Sequence, residues 1–157
     1  MAKVNPIPEG YHSVTPYLSI KGAAAAIDYY KEVFGATELF RMAGPEGKIG
    51  HAEIKIGNSP IMLADEYPDM EFVSPQTLGG TPIGLMIYVD DVDTMFKNAI
   101  SGGAKEIKPL QNQFYGDRSG TLKDPFGHVW TVATHVEDVA PEEMERRAAA
   151  AHGGSGS

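Results

Sequence analysis

A histidine and a glutamate stand two residues apart at His51 and Glu53. A second cluster, Asp117, Arg118, Asp124 and His128, falls among glycines and aromatics in FYGDRSGTLKDPFGHVW, residues 114–130. A carboxylate that orients an imidazole is a competent general base, so His51 with Glu53 is the candidate for catalytic proton transfer. The second stretch reads mostly as a hairpin. Asp124-Pro125-Phe126-Gly127 is a turn: Asp opens it, Pro presets φ and Gly takes the positive-φ position. His128 begins the next strand facing a helix, as a structural histidine. Asp117 and Arg118, bracketed by Gly116 and Gly120, are expected at a bend near a pocket mouth. There Arg118 either meets an anionic ligand group or pairs with a carboxylate while Asp117 ties down backbone amides. Tyr115 beside them is a further candidate ligand contact.

Composition narrows the chemistry. The chain has 157 residues, a net charge of -8 and no cysteine. That length suits one domain with a single core. Without cysteine there is no thiol nucleophile, no thiolate zinc site and no disulfide framework. The acidic balance argues against nucleic acid, which needs a basic stripe, and against an anionic membrane surface. The opening MAKVNPIPEG has no apolar run of the length a signal peptide needs, so a cytoplasmic location is expected. The closing GGSGS reads as a flexible tail or linker remnant, taken with its neighbour as 152–157.

Two halves of the chain repeat one pattern. The first runs YHSVTPYLSI, a strand, then the helix AAAAIDYYKEVF, then GATELF. The second runs PIGLMIYVD, the helix DVDTMFKNAIS, then GGAKEI. Gly35-Ala36 with Glu38 recurs as Gly103-Ala104 with Glu106, roughly 68 residues on, a spacing that signals a duplicated unit. Apolar residues at helical spacing support both helices: Ala23, Ala26, Ile27, Tyr30 and Phe34 in one, Val92, Phe96, Ala99 and Ile100 in the other. Gly35 and Gly102-Gly103 stand where helix C-termini favour positive φ. Asp90, Asp91 and Asp93 suit a helix start. Three strand-like runs follow each helix, so each half reads βαβββ, over about 11–65 and 83–135. Residues 66–82 form a Pro- and Gly-rich linker that could act as a lid. A short helix is expected over 141–151.

Alternation then assigns strand faces. Val14, Leu18, Ile20, Ala52, Ile54, Ile56, Ile61 and Leu63 should meet the first helix. Leu85, Ile87, Val89, Trp130 and Val132 should meet the second. The opposite, concave face gets Thr15, Tyr17, Ser19, His51, Glu53, Lys55, Met62, Gly84, Met86, Tyr88 and Thr131. That mixture is mostly apolar with a few placed polar groups, as in a ligand pocket. The same residues would equally suit a dimer interface or a filled barrel. Glu53 and Lys55 could also be a solvent-exposed ion pair, with His51 making one hydrogen bond.

Duplicated βαβββ units carrying IDYYKEVFGAT and DPFGHVW resemble the vicinal oxygen chelate superfamily, the glyoxalase, bleomycin-resistance and extradiol-dioxygenase group. The wider set PYLSI, IGHAEIKIG, YVDDVD, FYGDRSG and DPFGHVWTVATHVEDV is similar to its PhnB-like branch. The resemblance implies an α+β fold in which two βαβββ modules form a curved mixed sheet around a concave cavity. It also implies a homodimer. Metal-using members hold a divalent cation with four His, Glu or Gln ligands, and the matching positions here are Thr15, Met62, Gly84 and Thr131. None is a usual ligand, so no metal cofactor is expected. A rearranged metal site built on His51 and Glu53 with His12, His128 or His135 stays open as an alternative.

Three functions follow. The leading one is a metal-free module that binds or sequesters a small, antibiotic-like molecule. Its ligand contacts would be Thr15, Tyr17, Met62, Met86, Tyr88, Tyr115, Arg118 and Thr131. The second is an enzyme of glyoxalase, lyase, isomerase or dioxygenase type, using a rearranged metal site or His51 and Glu53. The third is a structural dimer with a vestigial pocket.

Overall fold

The structure, a computed structural model, describes residues 3–153. It divides into two compact units, one of residues up to 81 together with Pro125–Gly127, the other of 82–124 and residues from 128 on. Each contains one of the repeated halves. Together they give two four-stranded mixed sheets with helices, an α+β fold.

The first unit runs β1 (Tyr17–Ile20), α1 (Ala23–Phe34), β2 (Thr37–Ala43), β3 (Ile49–Ile56) and β4 (Ser59–Asp65). Its strand order is β1-β4-β3-β2, with β1 parallel to β4 and the remaining pairs antiparallel. Register places Leu18 beside Leu63 and Leu63 beside Ala52, and all three are buried. Against them α1 lays Ala23, Ala26, Ile27, Tyr30 and Phe34. The period-2 face of the sheet and the 3.6-residue face of the helix meet as their patterns require. Gly35 ends the helix at φ 69, a left-handed conformation that lets its N–H reach the Tyr30 carbonyl. Phe126, which belongs to this unit, lies edge-on to Tyr29 and Tyr30.

Two expectations need correcting in this unit. The first strand was expected from Tyr11, but pairing starts only at Tyr17, and Val14 is 84% exposed. Pro16 has no N–H to donate, so alternation upstream of it has no sheet to act on. Residues 66–82 are more ordered than a plain linker. They hold a 3-10 turn at Pro68–Met70 and the one-turn helix α2 (Pro75–Leu78). Ser74 caps α2 by accepting from Thr77 N at 3.3 Å.

The second unit repeats the order: β5 (Gly84–Tyr88), α3 (Val92–Ser101), β6 (Lys105–Asn112), β7 (Asp117–Lys123) and β8 (Val129–His135), then α4 (Pro141–Gly153). Its sheet is β5-β8-β7-β6, again with one parallel pair, β5 with β8. Asp91 caps α3 by accepting from Thr94 N at 3.1 Å. Val92, Phe96 and Ala99 are buried as expected, whereas Ile100 at the end of the helix is exposed. Gly120 lies within β7 and not at a bend. A Cβ there would lie 2.6 Å from Phe96 Cε2, so its missing side chain is the space that Phe96 fills. The helix α4 runs to Gly153, two residues past its expected end, and the rest of the tail, 154–157, lies outside the described residues. No helix among the described residues is long and apolar enough to cross a membrane.

Candidate functional site

The first sheet carries its polar chemistry on the face away from α1. Register sets Tyr17 beside Met62, Met62 beside Glu53 and Glu53 beside Phe40, a row across all four strands. His51, two residues before Glu53, shares that face. The Tyr17 hydroxyl lies 2.6 Å from His51 Nδ1, and His51 Nε2 lies 3.0 Å from Glu53 Oε2. The other Glu53 oxygen accepts from the Tyr11 hydroxyl. A carboxylate can only accept, so with the imidazole neutral its proton sits on Nε2 and Tyr17 donates to Nδ1. Partial burial pushes the Tyr17 phenol above its ordinary pKa, which keeps it protonated at neutral pH. The alternative of a Glu53–Lys55 ion pair is not what forms, since Glu53 serves His51 and Tyr11.

Tyr17 also lines a cavity of about 670 Å³ at one end of this sheet. The wall is completed by the β2–β3 turn, including Glu46 and Lys48, by the end of β4, and by Tyr67 and Phe72 from the segment after it. Phe72 meets the Tyr17 ring edge-on, centroids 5.5 Å apart. Asp65, also in the lining, accepts from the amides of Gly22, Ala23 and Ile49 at 3.0, 3.1 and 2.6 Å. Glu66 fastens the following segment. It accepts from Ser74 N at 3.0 Å and from the Thr77 hydroxyl at 2.9 Å, and these bonds hold its carboxyl below the usual range.

The second unit has its own polar network. Asp117, only 4% exposed, accepts from the Tyr88 hydroxyl at 2.8 Å and pairs with His135 Nδ1 at 2.8 Å. His135 Nε2 reaches Asp138 at 2.7 Å. The expected bend at Asp117 and Arg118 is a strand, and Asp117 binds side chains in place of backbone amides. Arg118 is paired with a carboxylate: Asp93 takes its Nε and Nη2, and Asn112 takes Nη1. Tyr115 is half-buried on the β6–β7 turn with its ring against Phe114. Met86 shares a sheet face with Tyr88, and the Thr131 hydroxyl is 2.9 Å from that of Thr121.

Bonds to Asp117 first and Asp138 second raise the His135 pKa above its ordinary value. The folded state therefore holds this proton more tightly than the unfolded chain. Its stabilising effect is complete below the unfolded value, about 6.5, and fades as pH rises through the higher folded value. The melting-temperature gap between wild type and His135→Gln should thus be widest near pH 6 and shrink toward pH 9. A gap that widens with pH would contradict the pairing.

Among the expected site residues, the structure joins Tyr17, His51 and Glu53, and separately ties Tyr88 to Asp117 and His135. Thr15 precedes β1 and Met62 is the neighbour of Tyr17 within the row. Tyr11, Asp65 and Phe72 are the members that sequence reading did not place, and His135 was named only as an alternative metal ligand; no spacing rule links Tyr11 to a glutamate 42 residues on.

The four positions that the resemblance matches to metal ligands, Thr15, Met62, Gly84 and Thr131, carry two hydroxyls, a thioether and a glycine, with the Thr131 hydroxyl engaged by Thr121. This donor set does not fit a divalent metal. His128 is buried with Asp124 on its backbone N–H, and among the described residues no group of three His, Asp or Glu is placed to hold an ion.

Comparison with known proteins agrees with this architecture. The chain is 40% identical over 136 residues to the uncharacterized protein Mb0911c of Mycobacterium bovis, covering 85% of this chain and 90% of that one. It superposes on TioX from Micromonospora sp. ML1 with a TM-score of 0.61 at 25% identity, covering 82% of this chain and 100% of TioX. A PhnB protein from Bacillus cereus shares the fold, with a TM-score of 0.63 at 19% identity over 78% of this chain and 99% of that one. Residues 12–132 match the family model directly, and the chain belongs to the glyoxalase/bleomycin resistance protein/dioxygenase superfamily.

Proposed function

We propose that this chain binds and sequesters a small, antibiotic-like organic molecule in the cavity of its first unit, without a divalent metal. The observation that carries this reading is the cavity of about 670 Å³, within the range of small-molecule sites and walled by Tyr17, Tyr67 and Phe72. The misfit of the four metal positions supports the metal-free part. The family's bleomycin-resistance members lend the ligand class its plausibility by analogy alone. The functional form is a homodimer in this reading. Met86 at 49% and Tyr88 at 60% exposure leave apolar surface that a second copy would cover.

A thermal-shift screen of aromatic small molecules, followed by calorimetric titration, tests the proposal, with light scattering on the same samples to read a dimer mass. Hits should raise the melting temperature, because a ligand of the folded state stabilises it. Phe72→Ala should weaken those hits about fivefold to tenfold, the worth of one aromatic contact. Hits that ignore Phe72→Ala would place binding elsewhere, and a screen without hits would remove the reading.

A further inference from the structure

The part of the cavity wall that carries Tyr67 and Phe72 is bonded to itself and not to the sheet. Among the described residues, the backbone hydrogen bonds of residues 67–72 all close within that loop. Tyr67 N and Phe72 N donate to each other's carbonyls at 2.6 and 3.2 Å, Met70 N to Tyr67 O at 2.9 Å, and Glu71 N to Pro68 O at 3.0 Å. The side chains of Tyr67, Asp69 and Glu71 add no hydrogen bond or ion pair to the body of the unit among the described residues. Glu71 turns the chain at φ 60, a conformation that a residue with a side chain keeps only where its surroundings hold it. The loop is therefore a stiff piece in its own right.

Both of its ends are fixed. Glu66 N donates to Ile20 O at 2.9 Å, and the Glu66 carboxylate reaches across the neck of the loop to Ser74 N and the Thr77 hydroxyl. Beyond the neck, α2 is seated on the Asp-Pro-Phe-Gly turn. Gln76 Nε2 donates to Pro125 O at 3.0 Å, and a Cβ on Gly127 would lie 2.9 Å from Pro75 Cβ. A compact loop whose ends are clasped together is an Ω-loop, a form often given to function. What ties its middle to the sheet is a ring contact, Phe72 edge-on to Tyr17. Tyr67 lines the cavity while 57% exposed, so the loop reaches the cavity mouth.

We propose that residues 67–73 are a gate. The loop swings as one piece about the neck at Glu66 and Ser74, Phe72 leaves Tyr17, and a small organic molecule enters; the return of Phe72 to Tyr17 closes the cavity. The proposal rests on the binding reading above and adds how the site is entered. Its test needs no ligand, so a failed ligand screen and a failed gate are separate results.

The chain has no cysteine, so single thiols report on single places. Three variants of the full-length protein are compared in their reaction with dithiodipyridine, an aromatic disulfide: Ala64→Cys in the buried cavity wall, Met70→Cys on the exposed loop and Ala26→Cys in the core under α1. Ala64→Cys should react about 10–1,000 times slower than Met70→Cys, the range set by an open state populated at about 0.1–10%. It should still react faster than Ala26→Cys, which waits for unfolding. Adding Phe72→Leu keeps an apolar side chain in the wall but removes the ring contact, and should speed Ala64→Cys about fivefold. Hydrogen exchange at the amides of Tyr67, Met70 and Glu71 should stay unchanged in Phe72→Leu, because the loop moves intact. Ala64→Cys as reactive as Met70→Cys means a cavity that stands open, and overturns the gate while leaving a binding site. Ala64→Cys no faster than Ala26→Cys means a fixed wall, and overturns it too. An unchanged rate in Phe72→Leu removes the Phe72 contact as the latch. A faster rate shared by Ala26→Cys, or accompanied by lost amide protection in the loop, is unfolding and not gating, and also overturns the proposal.

Discussion

Gly116→Ala is expected to destabilise the fold by about 4 kcal/mol, from an unfavourable positive φ of about 1–3 kcal/mol and a steric clash of similar size. Gly116 sits at φ 101, and a Cβ there would lie 2.1 Å from the backbone oxygen of Glu137. Backbone cannot swing aside as a side-chain tip can. The position is also pinned from both directions. Gly116 N donates to the Gln113 carbonyl at 3.2 Å, and its own carbonyl accepts from Val136 N and Glu137 N at 2.8 and 3.1 Å. Relieving the clash therefore means giving up the bonds that lead the chain out of β8 toward α4. The downstream segment is further tied by Arg147, which bonds Glu137 and the Phe114 carbonyl. Gly57→Ala is the control. Its φ is 59 but nothing lies within 4 Å of the added carbon, so it should cost only the conformational part, about 1 kcal/mol. Urea denaturation of both variants separates strain from clash. If Gly116→Ala lies within 1 kcal/mol of Gly57→Ala, in units of the same order, the close approach of Glu137 is wrong.

Asp124→Ala is expected to cost about 3 kcal/mol, because two buried donors lose their acceptor at about 1–3 kcal/mol each. For a chain of this length that lowers the melting temperature by about 9 °C. Asp124 is 3% exposed, and its carboxylate accepts from His128 N at 3.0 Å and from the Trp130 indole N–H at 2.8 Å. Its own N–H donates to the His128 carbonyl at 2.8 Å, closing the turn. Trp130 is among the largest fully buried side chains, so its N–H has no water to turn to. Relief from burying a carboxylate offsets part of the loss, which keeps the figure below the sum of the two upper limits. Asp124→Asn retains an oxygen for one donor and should fall between wild type and alanine. Thermal melts followed by Trp130 fluorescence read both. A melting temperature unchanged in Asp124→Ala would mean that the turn does not depend on this carboxylate.

The two variants show how differently parts of this molecule are encoded. The Asp-Pro-Phe-Gly turn was legible from residue types, because each residue has a local conformational preference. That Asp124 also secures the tryptophan six residues on was not legible, since it depends on how β8 rises from the turn. The same split runs through the candidate site. His51 and Glu53 fall on one face because strand side chains alternate, whatever the rest of the chain does. Their partners arrive from elsewhere: Tyr17 by way of the β1–β4–β3 pairing, and Tyr11 from a segment outside any strand. Arg118 was given two readings, and its carboxylate partner, Asp93, comes from α3, which no local pattern names.

Taken alone, the amino-acid order determined the duplicated βαβββ pattern, the helix faces and the inward apolar rows of both sheets. Those features follow from φ/ψ preferences and from the two periods, 2 and 3.6, that act within a few residues. Only the tertiary structure decided that Val14 lies outside the sheet, that Asp117 holds Tyr88 and His135, and that Phe72 and Glu46 close a cavity around Tyr17. The physical reason is that hydrogen bonding and cavity formation depend on register and loop path. Both are settled by the packing of distant segments and not by local preference.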